Sequence, residues 1–308
     1  MKKALVLGGA GFLGNYLCQS LLNRDYRVYC LDNFSTGSLE NLNGFVTDSS
    51  FQLIEQDVRS KFHVDVDIIF NLACPASPPS YQLNPVGTML TNFQGTLNGL
   101  ELARDLGIPF IQASTSEIYG DPEQHPQTET YWGNVNPIGK RSCYDEGKRA
   151  AETLCSDFRS QYRVSSRIVR IFNTYGPKMS RTDGRVISNF VNQALENRDI
   201  TIYGDGSQTR SLCFVEDLID GILRVGLGDI DVLGPINLGN PQEITIQELA
   251  GEIISLCEST SRIVNLPLPE DDPRRRRPDI ALAKKLFDWS PTTTLHQGLT
   301  QTINYFRG

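Results

Sequence analysis

Residues 3–14 read KALVLGGAGFLG, an apolar run that leads into a turn with three glycines. Gly8 permits the tight turn, Gly11 lets a pyrophosphate approach backbone N–H groups, and Gly14 lets the next helix lie close to the strand. That helix, predicted over Leu13–Asn23, presents its partly positive N-terminus to the phosphates. The stretch therefore predicts a strand, a turn and a helix that bind a dinucleotide.

Two later carboxylates extend this prediction. Asp32 ends the second predicted strand, where it can accept hydrogen bonds from the adenosine ribose and would repel a 2′-phosphate. Asn33 and Phe34 follow and offer no arginine for such a phosphate, so we expect NAD and not NADP. Asp57 and Val58 come after the third strand and suit contacts to the adenine, with an ordinary turn aspartate as the alternative.

Composition narrows the class of protein. Of the 308 residues, 39% are hydrophobic and 21% charged, which is the balance of a globular protein with a substantial core. The net charge of -7 argues against nucleic acid and anionic membranes as partners. Seven scattered cysteines and three isolated histidines predict free thiols, no bound metal and a cytoplasmic location.

Short apolar runs alternate with helical patterns through residue 175. Parallel strands need long crossovers, and helices usually supply them. We therefore expect an α/β fold, a Rossmann-type doubly wound parallel sheet with a smaller C-terminal α/β substrate lobe. The predicted NAD-binding domain comprises residues 1–175 and roughly 212–235, and the substrate lobe comprises 176–211 and 236–308.

Tyr144 and Lys148 lie four residues apart at the start of a predicted helix, so their side chains share a face. An ammonium group beside a phenol stabilises phenolate and lowers the pKa of the tyrosine. Such a tyrosine takes a proton from a sugar hydroxyl as hydride leaves for nicotinamide. A surface helix is the plain alternative, which the glycine turn and the Ser/Thr residues at 114–116 disfavour.

Together these features resemble the extended short-chain dehydrogenase/reductase superfamily. Longer segments are similar to the UDP-glucuronic acid decarboxylase (UDP-xylose synthase) family, namely LACPASPP (72–79), STSEIYG (114–120), CYDEGKR (143–149), RIFNTYGP (170–177), GSQTR (206–210) and DDPRRRRPDI (271–280). The resemblance implies a lyase that oxidises C4′ of UDP-glucuronate with NAD. The 4-ketone is β to the C6′ carboxylate, so carbon dioxide leaves, and protonation at C5′ with return of hydride gives UDP-xylose.

The resemblance also implies three sets of site residues. The catalytic set is Thr115, Glu117, Tyr144, Lys148 and Arg276. The cofactor set is Gly8, Gly11, Phe12, Leu13, Asp32, Asn33, Phe34, Thr36, Gly37, Asp57, Val58, Leu72, Ala73, Thr91, Tyr144, Lys148 and Thr174. The substrate set is Pro75, Tyr81, Asn173, Arg185, Tyr203, Arg210 and Arg276.

Residues 115–117 separate the related activities. Sugar 4,6-dehydratases resemble Thr-Asp-Glu here, whereas this chain has Thr115-Ser116-Glu117 and lacks the acid for dehydration. Glu117 is expected near the substrate carboxylate, where two anions destabilise each other and promote decarboxylation. A role in ordering water or relaying a proton stays open, as does a cap at the strand end.

Several expectations keep alternatives. Of the four arginines 274–277, we expect Arg276 to point inward and the others to be mostly exposed. Arg141 and Tyr81 are candidates to face the substrate, and a packing role for Tyr81 is equally open. A 4-epimerase, a decarboxylase that releases UDP-4-keto-pentose and a non-catalytic NAD-binding regulator are the competing functions. Members of the superfamily pair through two helices, which implies a homodimer through Pro85–Asp105 and Tyr144–Gln161.

Overall fold

The computed structural model of the chain describes residues 1–267 and 276–308. The strands, in chain order, are β1 (Lys3–Leu7), β2 (Arg27–Asp32), β3 (Phe51–Glu55), β4 (Ile68–Asn71), β5 (Phe110–Thr115), β6 (Ser166–Ile171), β7 (Thr174–Tyr175), β8 (Ile200–Tyr203), β9 (Thr209–Ser211), β10 (Cys213–Phe214), β11 (Ile236–Leu238), β12 (Glu243–Thr245) and β13 (Ile263–Leu266). The helices are α1 (Phe12–Leu22), α2 (Pro78–Leu83), α3 (Pro85–Leu106), α4 (Ser142–Tyr162), α5 (Val186–Leu195), α6 (Val215–Leu227), α7 (Ile246–Cys257), α8 (Ala281–Phe287) and α9 (Leu295–Arg307).

Seven parallel strands form the main sheet, in the order β11-β6-β5-β4-β1-β2-β3. Side chains of β1 alternate between the faces, so Ala4 and Val6 enter one hydrophobic core while Leu5 and Leu7 enter another. Helices α1 and α6 contact each other, and so do α3 and α4. This arrangement confirms the predicted doubly wound α/β class.

The C-terminal half contributes to the main sheet as well as to smaller ones. β11 pairs with β6, with Ile236 opposite Val169, although residues 236–308 were assigned to the substrate lobe. All three residues of β11 are buried in the main sheet. A stretch of three residues does not show by itself whether it is buried or which sheet it joins. The predicted division into two domains stays a prediction.

Short strand pairs stand beyond the main sheet. β8 pairs in parallel with β13, β9 pairs antiparallel with β12, and β7 pairs with β10. They bring Tyr203 and Arg210 to the same cavity as the ends of the main strands. None of the helices in residues 1–267 and 276–308 combines the length and the apolar character of a membrane span.

Candidate active site

A cavity of about 1160 Å³ opens where the main strands end. Its walls include Gly8 after β1, Leu72 after β4, Thr115 at the end of β5 and Asn173 after β6. Ligands of open parallel sheets bind beyond the carboxyl ends of the strands. The fold thus gathers side chains that are far apart in sequence.

The glycine turn forms one end of this cavity through backbone geometry. Gly8 has a φ of 78°, and a Cβ there would lie 2.8 Å from the backbone of Ala73. A Cβ on Gly14 would lie 2.1 Å from the carbonyl oxygen of Gly8. Gly11 caps α1 without a side-chain hydrogen bond, and the first turn carries no acidic residue. The first N–H groups of α1 therefore suit a bound diphosphate, as NAD requires.

Asp32 holds the turn in place and remains able to accept further hydrogen bonds. Its Oδ2 accepts from the N–H of Ala10 at 2.9 Å, and its Oδ1 accepts from the N–H of Phe34 at 2.8 Å. Burial raises the pKa of this carboxyl, while those backbone hydrogen bonds oppose the rise. Each carboxylate oxygen keeps one acceptor site, which fits the predicted contact with the ribose hydroxyls.

The predicted cofactor residues divide into two groups. Those that line the cavity are Gly8, Gly11, Phe12, Leu13, Thr36, Leu72, Tyr144, Lys148 and Thr174. The others, all within the described part of the chain, stand outside this lining: Asp32, Asn33, Phe34, Gly37, Asp57, Val58, Ala73 and Thr91.

Asp57 and Val58 have structural partners of their own. Arg59 binds the carboxylate of Asp57 through Nε and Nη2 and lowers the pKa of that carboxyl. Val58 is buried, and its carbonyl accepts from Asn98 Nδ2 at 2.8 Å. This geometry favours the turn aspartate, the alternative left open for Asp57.

Tyr144 and Lys148 line the cavity near its middle, on the first turns of α4. The expectation that Lys148 lowers the pKa of Tyr144 is wrong for this structure. Burial raises the pKa of Tyr144, the Cys74 thiol adds to the rise, and a hydrogen bond with Thr115 opposes it. Lys148 Nζ instead donates to the carbonyl of Ala113 at 2.9 Å, and burial lowers the pKa of Lys148.

Tyr81 covers the ring of Tyr144. The two rings are stacked, with centroids 5.1 Å apart and an interplanar angle of 10°. Tyr81 is almost completely buried, and its hydroxyl has no hydrogen-bond partner among the described residues. It therefore packs against the candidate base and also lines the cavity.

Glu117 lies between two arginines at the end of the cavity away from the glycine turn. Arg141 Nη2 donates to Glu117 Oε2, and Arg276 Nη2 donates to the same oxygen at 3.2 Å. Burial alone would raise the pKa of Glu117, but the charges of Arg276 and Arg141 outweigh it and hold this pKa below its usual range. Glu117 is therefore an anion at neutral pH.

The predicted substrate residues that line the cavity are Tyr81, Asn173, Arg185, Tyr203, Arg210 and Arg276. Pro75 is described and stands outside the lining. Arg185 is paired with Asp183 through both Nε and Nη2. Arg276 is buried and Arg277 is partly exposed, while Arg274 and Arg275 lie outside the described residues.

Sequence reasoning gave no role to three residues near the site. Asn41 and Lys178 line the glycine end of the cavity. They are far apart in sequence, so no local motif indicates that they belong to one site. Asp145 follows Tyr144 and is buried with an Oδ1 that has no hydrogen-bond partner among the described residues. Burial raises the pKa of Asp145 to about 7, and Glu117 adds to the rise. The position of Asp145 directly after Tyr144 is the one sequence signal that could have indicated a role for it.

A dinucleotide turn facing a tyrosine and a lysine defines an enzyme that transfers hydride and a proton with a bound nicotinamide cofactor. The chain belongs to the NAD dependent epimerase/dehydratase family, whose sequence pattern matches residues 4–238. It is 50% identical over 305 residues to UDP-glucuronic acid decarboxylase 1 of Danio rerio, covering 99% of this chain and 72% of that protein. It is 50% identical over 306 residues to UDP-glucuronic acid decarboxylase 6 of Arabidopsis thaliana, covering 99% and 89%.

Solved structures of similar fold include two epimerases. UDP-glucuronic acid 4-epimerase from Bacillus cereus, in complex with UDP-glucuronic acid and NAD, gives a TM-score of 0.88 at 28% identity and covers 99% of both chains. UDP-glucose 4-epimerase from Thermotoga maritima, with UDP-glucose, gives a TM-score of 0.89 at 27% identity and covers 99% of this chain and 98% of its own.

Proposed function

We propose that this protein converts UDP-glucuronate to UDP-xylose and carbon dioxide with a bound NAD. The observation that carries the proposal is the cluster of Glu117, Arg141 and Arg276 in the cavity that also contains Tyr144. The identity of about 50% over nearly the whole chain to UDP-glucuronic acid decarboxylases supports it. A uronate substrate brings its carboxylate, and arginine is well suited to bind one.

The residues of the chain supply the proton chemistry. Tyr144 acts in its phenolate form, which the positive charge of NAD, when bound, would favour over the neutral phenol that burial favours here. The phenolate oxygen accepts the proton of the C4′ hydroxyl and gives it back to O4′ at the end of the reaction. Thr115 stabilises the charged form of Tyr144 through its hydrogen bond. The glycine turn would hold NAD, which would supply the acceptor for the C4′ hydride and the donor that restores it. Between these events the C5′–C6′ bond breaks, carbon dioxide leaves, its electron pair enters the enolate, and C5′ takes a proton.

Glu117 affects the loss of carbon dioxide less strongly than an isolated carboxylate would. Its negative charge lies beside the positive charges of Arg141 and Arg276, so its repulsion of a substrate carboxylate is reduced. Because the pKa of Glu117 is low, it accepts hydrogen bonds at neutral pH and does not donate a proton. These facts favour an ordering role for Glu117, holding the arginines and water near C5′.

The test is to incubate the purified protein with UDP-glucuronate and to measure carbon dioxide and the mass of the nucleotide sugar. We expect carbon dioxide and the mass of a UDP-pentose. A product two hydrogens lighter, together with free NADH, would indicate release of UDP-4-keto-pentose. Unchanged mass without carbon dioxide, but with a new isomer resolved by chromatography, would indicate a 4-epimerase, the activity named for a structural neighbour at 28% identity. No turnover would favour the non-catalytic regulator.

We also propose a homodimer. Val86, Leu90 and Phe93 are exposed and lie four and three residues apart on one face of α3. Helix α3 packs along α4, so the two helices together offer a surface for a second copy. Light scattering should show a dimer for the parent chain and a monomer for Leu90→Glu. Ile230→Glu, at an exposed residue of a loop, should leave the dimer intact.

A cytoplasmic location remains our proposal. It is supported by the cysteines, all seven of which are free thiols, with four of them buried. Free thiols are typical of reducing compartments. Microscopy of a fluorescent fusion would test it, and signal outside the cytoplasm would contradict it.

The division into an NAD-binding domain and a substrate lobe formed by residues 176–211 and 236–308 also remains a proposal. The short strand pairs beyond the main sheet support it. Hydrogen exchange with UDP alone should protect the lobe more strongly than the glycine turn. Equal protection of both parts would contradict the division.

A further inference from the structure

Asn237 is a completely buried amide in the middle of β11, and it stands outside the lining of the cavity. Its neighbours Ile236 and Leu238 both enter one hydrophobic core. Because side chains alternate along a strand, the side chain of Asn237 points to the opposite face of the main sheet. A buried amide costs free energy unless hydrogen bonds satisfy it, so its partners matter.

The side chain of Asn237 makes hydrogen bonds to three separate segments. Its Oδ1 accepts from the hydroxyl of Tyr119 at 2.8 Å. Its Nδ2 donates to the carbonyl of Gln127 at 3.0 Å and to the carbonyl of Asp279 at 3.1 Å. A side-chain amide offers an acceptor and two donors together, whereas a carboxylate has no donor and a hydroxyl has one. The position therefore requires an amide.

The first of these hydrogen bonds leads to Glu117. Tyr119 ends the short 3₁₀ helix that also contains Glu117, and its ring is completely buried. The hydroxyl of Tyr119 accepts from Arg170 Nη1 at 2.9 Å, and Glu152 binds Arg170 through Nε and Nη2. In the pairing of β6 with β11, Arg170 lies opposite Asn237. The phenol is thus held between Arg170 and Asn237, which fixes the 3₁₀ helix on the main sheet.

The other two hydrogen bonds lead to Arg276. Asp279 follows Arg276 by three residues, and its N–H donates to the carbonyl of Gln127 at 2.8 Å. The N–H of Arg277 donates to Gln127 Oε1 at 2.8 Å, and the N–H of Gln127 donates to the carbonyl of Arg277 at 2.9 Å. Gln127 is completely buried. Asn237 therefore ties the segment that carries Arg276 to the main sheet as well.

We propose that Asn237 is a positioning residue that sets the placement of Glu117 relative to Arg276 without touching the substrate. The inference rests on the proposed function, because it concerns the side chains expected at the C5′–C6′ end of that same site. The hydrogen bond between Glu117 and Arg276 forms only where both segments are held in register. Tyr144 is placed by α4, so oxidation at C4′ should not depend on Asn237, whereas the later steps at C5′ should.

Tyr119→Phe tests this role in the enzyme with bound NAD. It removes the hydrogen bond to Asn237 and keeps the ring that stacks on Tyr131. In a single turnover of UDP-glucuronate, the absorbance of NADH rises as C4′ is oxidised and decays as hydride returns. The rise should stay within about twofold of the parent and the decay should slow about tenfold, because misplaced groups cost up to about 10²-fold in rate. A loss of folded protein lowers the amplitude and leaves the ratio of the two rates unaltered.

Two further variants make the test specific. Tyr175→Phe removes an equally buried hydroxyl, which donates to the carbonyl of Leu295 at 3.3 Å, and should leave both rates as in the parent. Asn237→Asp keeps the shape and the acceptor but loses both N–H donors, so it should slow the decay more than Tyr119→Phe. It also decides the question if Tyr119→Phe does not fold. Equal slowing of rise and decay, or a parental decay, would overturn the inference.

The outcome is separable from that of the proposed function. Carbon dioxide release by the parent decides the function and involves neither variant. If the parent releases carbon dioxide and Tyr119→Phe decays at the parental rate, only the role of Asn237 fails. If the parent returns hydride without carbon dioxide, the decarboxylase proposal fails, and a selectively slow decay in Tyr119→Phe still supports the positioning.

A parent that oxidises no sugar would be compared by calorimetry with UDP-glucuronate. Weaker binding by Tyr119→Phe and parental binding by Tyr175→Phe would then support the positioning. Equal binding by both variants would overturn it.

Discussion

The two ends of the cavity are formed by different kinds of groups, backbone atoms at one end and charged side chains at the other. At the glycine end, Gly8, Gly11 and Gly14 come from one turn, and the site is largely backbone with Asp32 beneath it. At the other end, the side chains of Glu117, Arg141 and Arg276 come from three separate segments and are held by mutual charge. The glycine end depends on close approach of backbone atoms, and the arginine end depends on the balance of charged side chains. We therefore expect different substitutions to impair binding at each end.

Tyr144 lies between the two ends, and its loss should have the largest effect. Tyr144→Phe keeps the ring that stacks on Tyr81 but removes the oxygen that accepts the proton. The rate of carbon dioxide release should fall about 10²–10⁴-fold, the usual contribution of a general base. Tyr162→Phe makes the same chemical change at the exposed end of α4 and should leave the rate unaltered. Comparable rates for the parent and Tyr144→Phe would remove the tyrosine from the mechanism.

Asp145→Asn tests the electrostatic contribution of a buried carboxyl group near Glu117 to the stability of the protein. The pKa of Asp145 rises from 3.8 to about 7 on folding, so the folded protein binds more protons than the unfolded chain between these values. The free energy of unfolding therefore falls as pH rises through this window, and the full cost is present above about pH 7. The variant should be more stable than the parent at pH 8 by at most about 4 kcal/mol, with the difference shrinking toward pH 4.

Chemical denaturation at several pH values measures this effect directly. A stability difference that is constant between about pH 4 and pH 8 would mean that titration of Asp145 does not contribute. Isosteric replacement keeps the volume of the side chain, so the core around α4 should pack as before.

Gly14→Ala addresses the backbone end. The added Cβ would lie 2.1 Å from the carbonyl oxygen of Gly8, so α1 must move away from the turn. We expect a loss of about 1–3 kcal/mol in the free energy of unfolding together with weaker NAD binding. Gly251→Ala is the matched control, because a Cβ in that part of α7 meets nothing within 4 Å. It should stabilise the protein by about 0.5–1 kcal/mol. Equal behaviour of the two variants in thermal melting would contradict a steric role for Gly14.

The same contrast explains what sequence reasoning could predict. Gly8 and Gly14 come after β1 and Asp32 ends β2, all at characteristic spacings, and the parallel sheet follows from the alternation of strands and helices. Backbone sites of this kind are encoded locally, so their residues were predictable from residues 3–32. The resemblance of longer segments to a known family added Glu117 and Arg276 to the predicted site residues. These two residues form an ion pair although they are 159 positions apart, and no local sequence pattern predicts such a contact.

Contacts formed by tertiary structure were harder to predict. The pKa of Tyr144 is raised and not lowered because burial of the phenol dominates it. Lys148 donates a hydrogen bond to the carbonyl of Ala113, a contact that helical spacing does not predict. The sequence predicts a strand over Ile236–Leu238, as found for β11, but three residues do not show that this strand joins the main sheet. Charge balance among Arg141, Glu117 and Asp145 depends on burial, which sequence alone does not give.

Lys178→Met should give the smallest effect and tests whether the C-terminal half helps retain the cofactor. Lys178 Nζ donates to the carbonyl of Asn41 at 3.1 Å, and Asn41 Nδ2 donates to the carbonyl of Ala10 in the glycine turn at 2.8 Å. This chain of contacts links the segment after β7 to the turn that would hold NAD. Removing one hydrogen bond costs about 0.5–1.5 kcal/mol, so NADH should escape about two- to tenfold faster.

Fluorescence of free NADH during turnover of UDP-glucuronate measures the escape, and the ketopentose should rise with it in equal amount. Lys284→Met, at an exposed position of α8, removes the same charge far from the glycine turn and should match the parent. If both lysine variants release NADH at the parental rate, the contact with Asn41 does not retain the cofactor. A selective increase in Lys178→Met would instead show that the backbone end, like the arginine end, depends on a side chain from a distant segment.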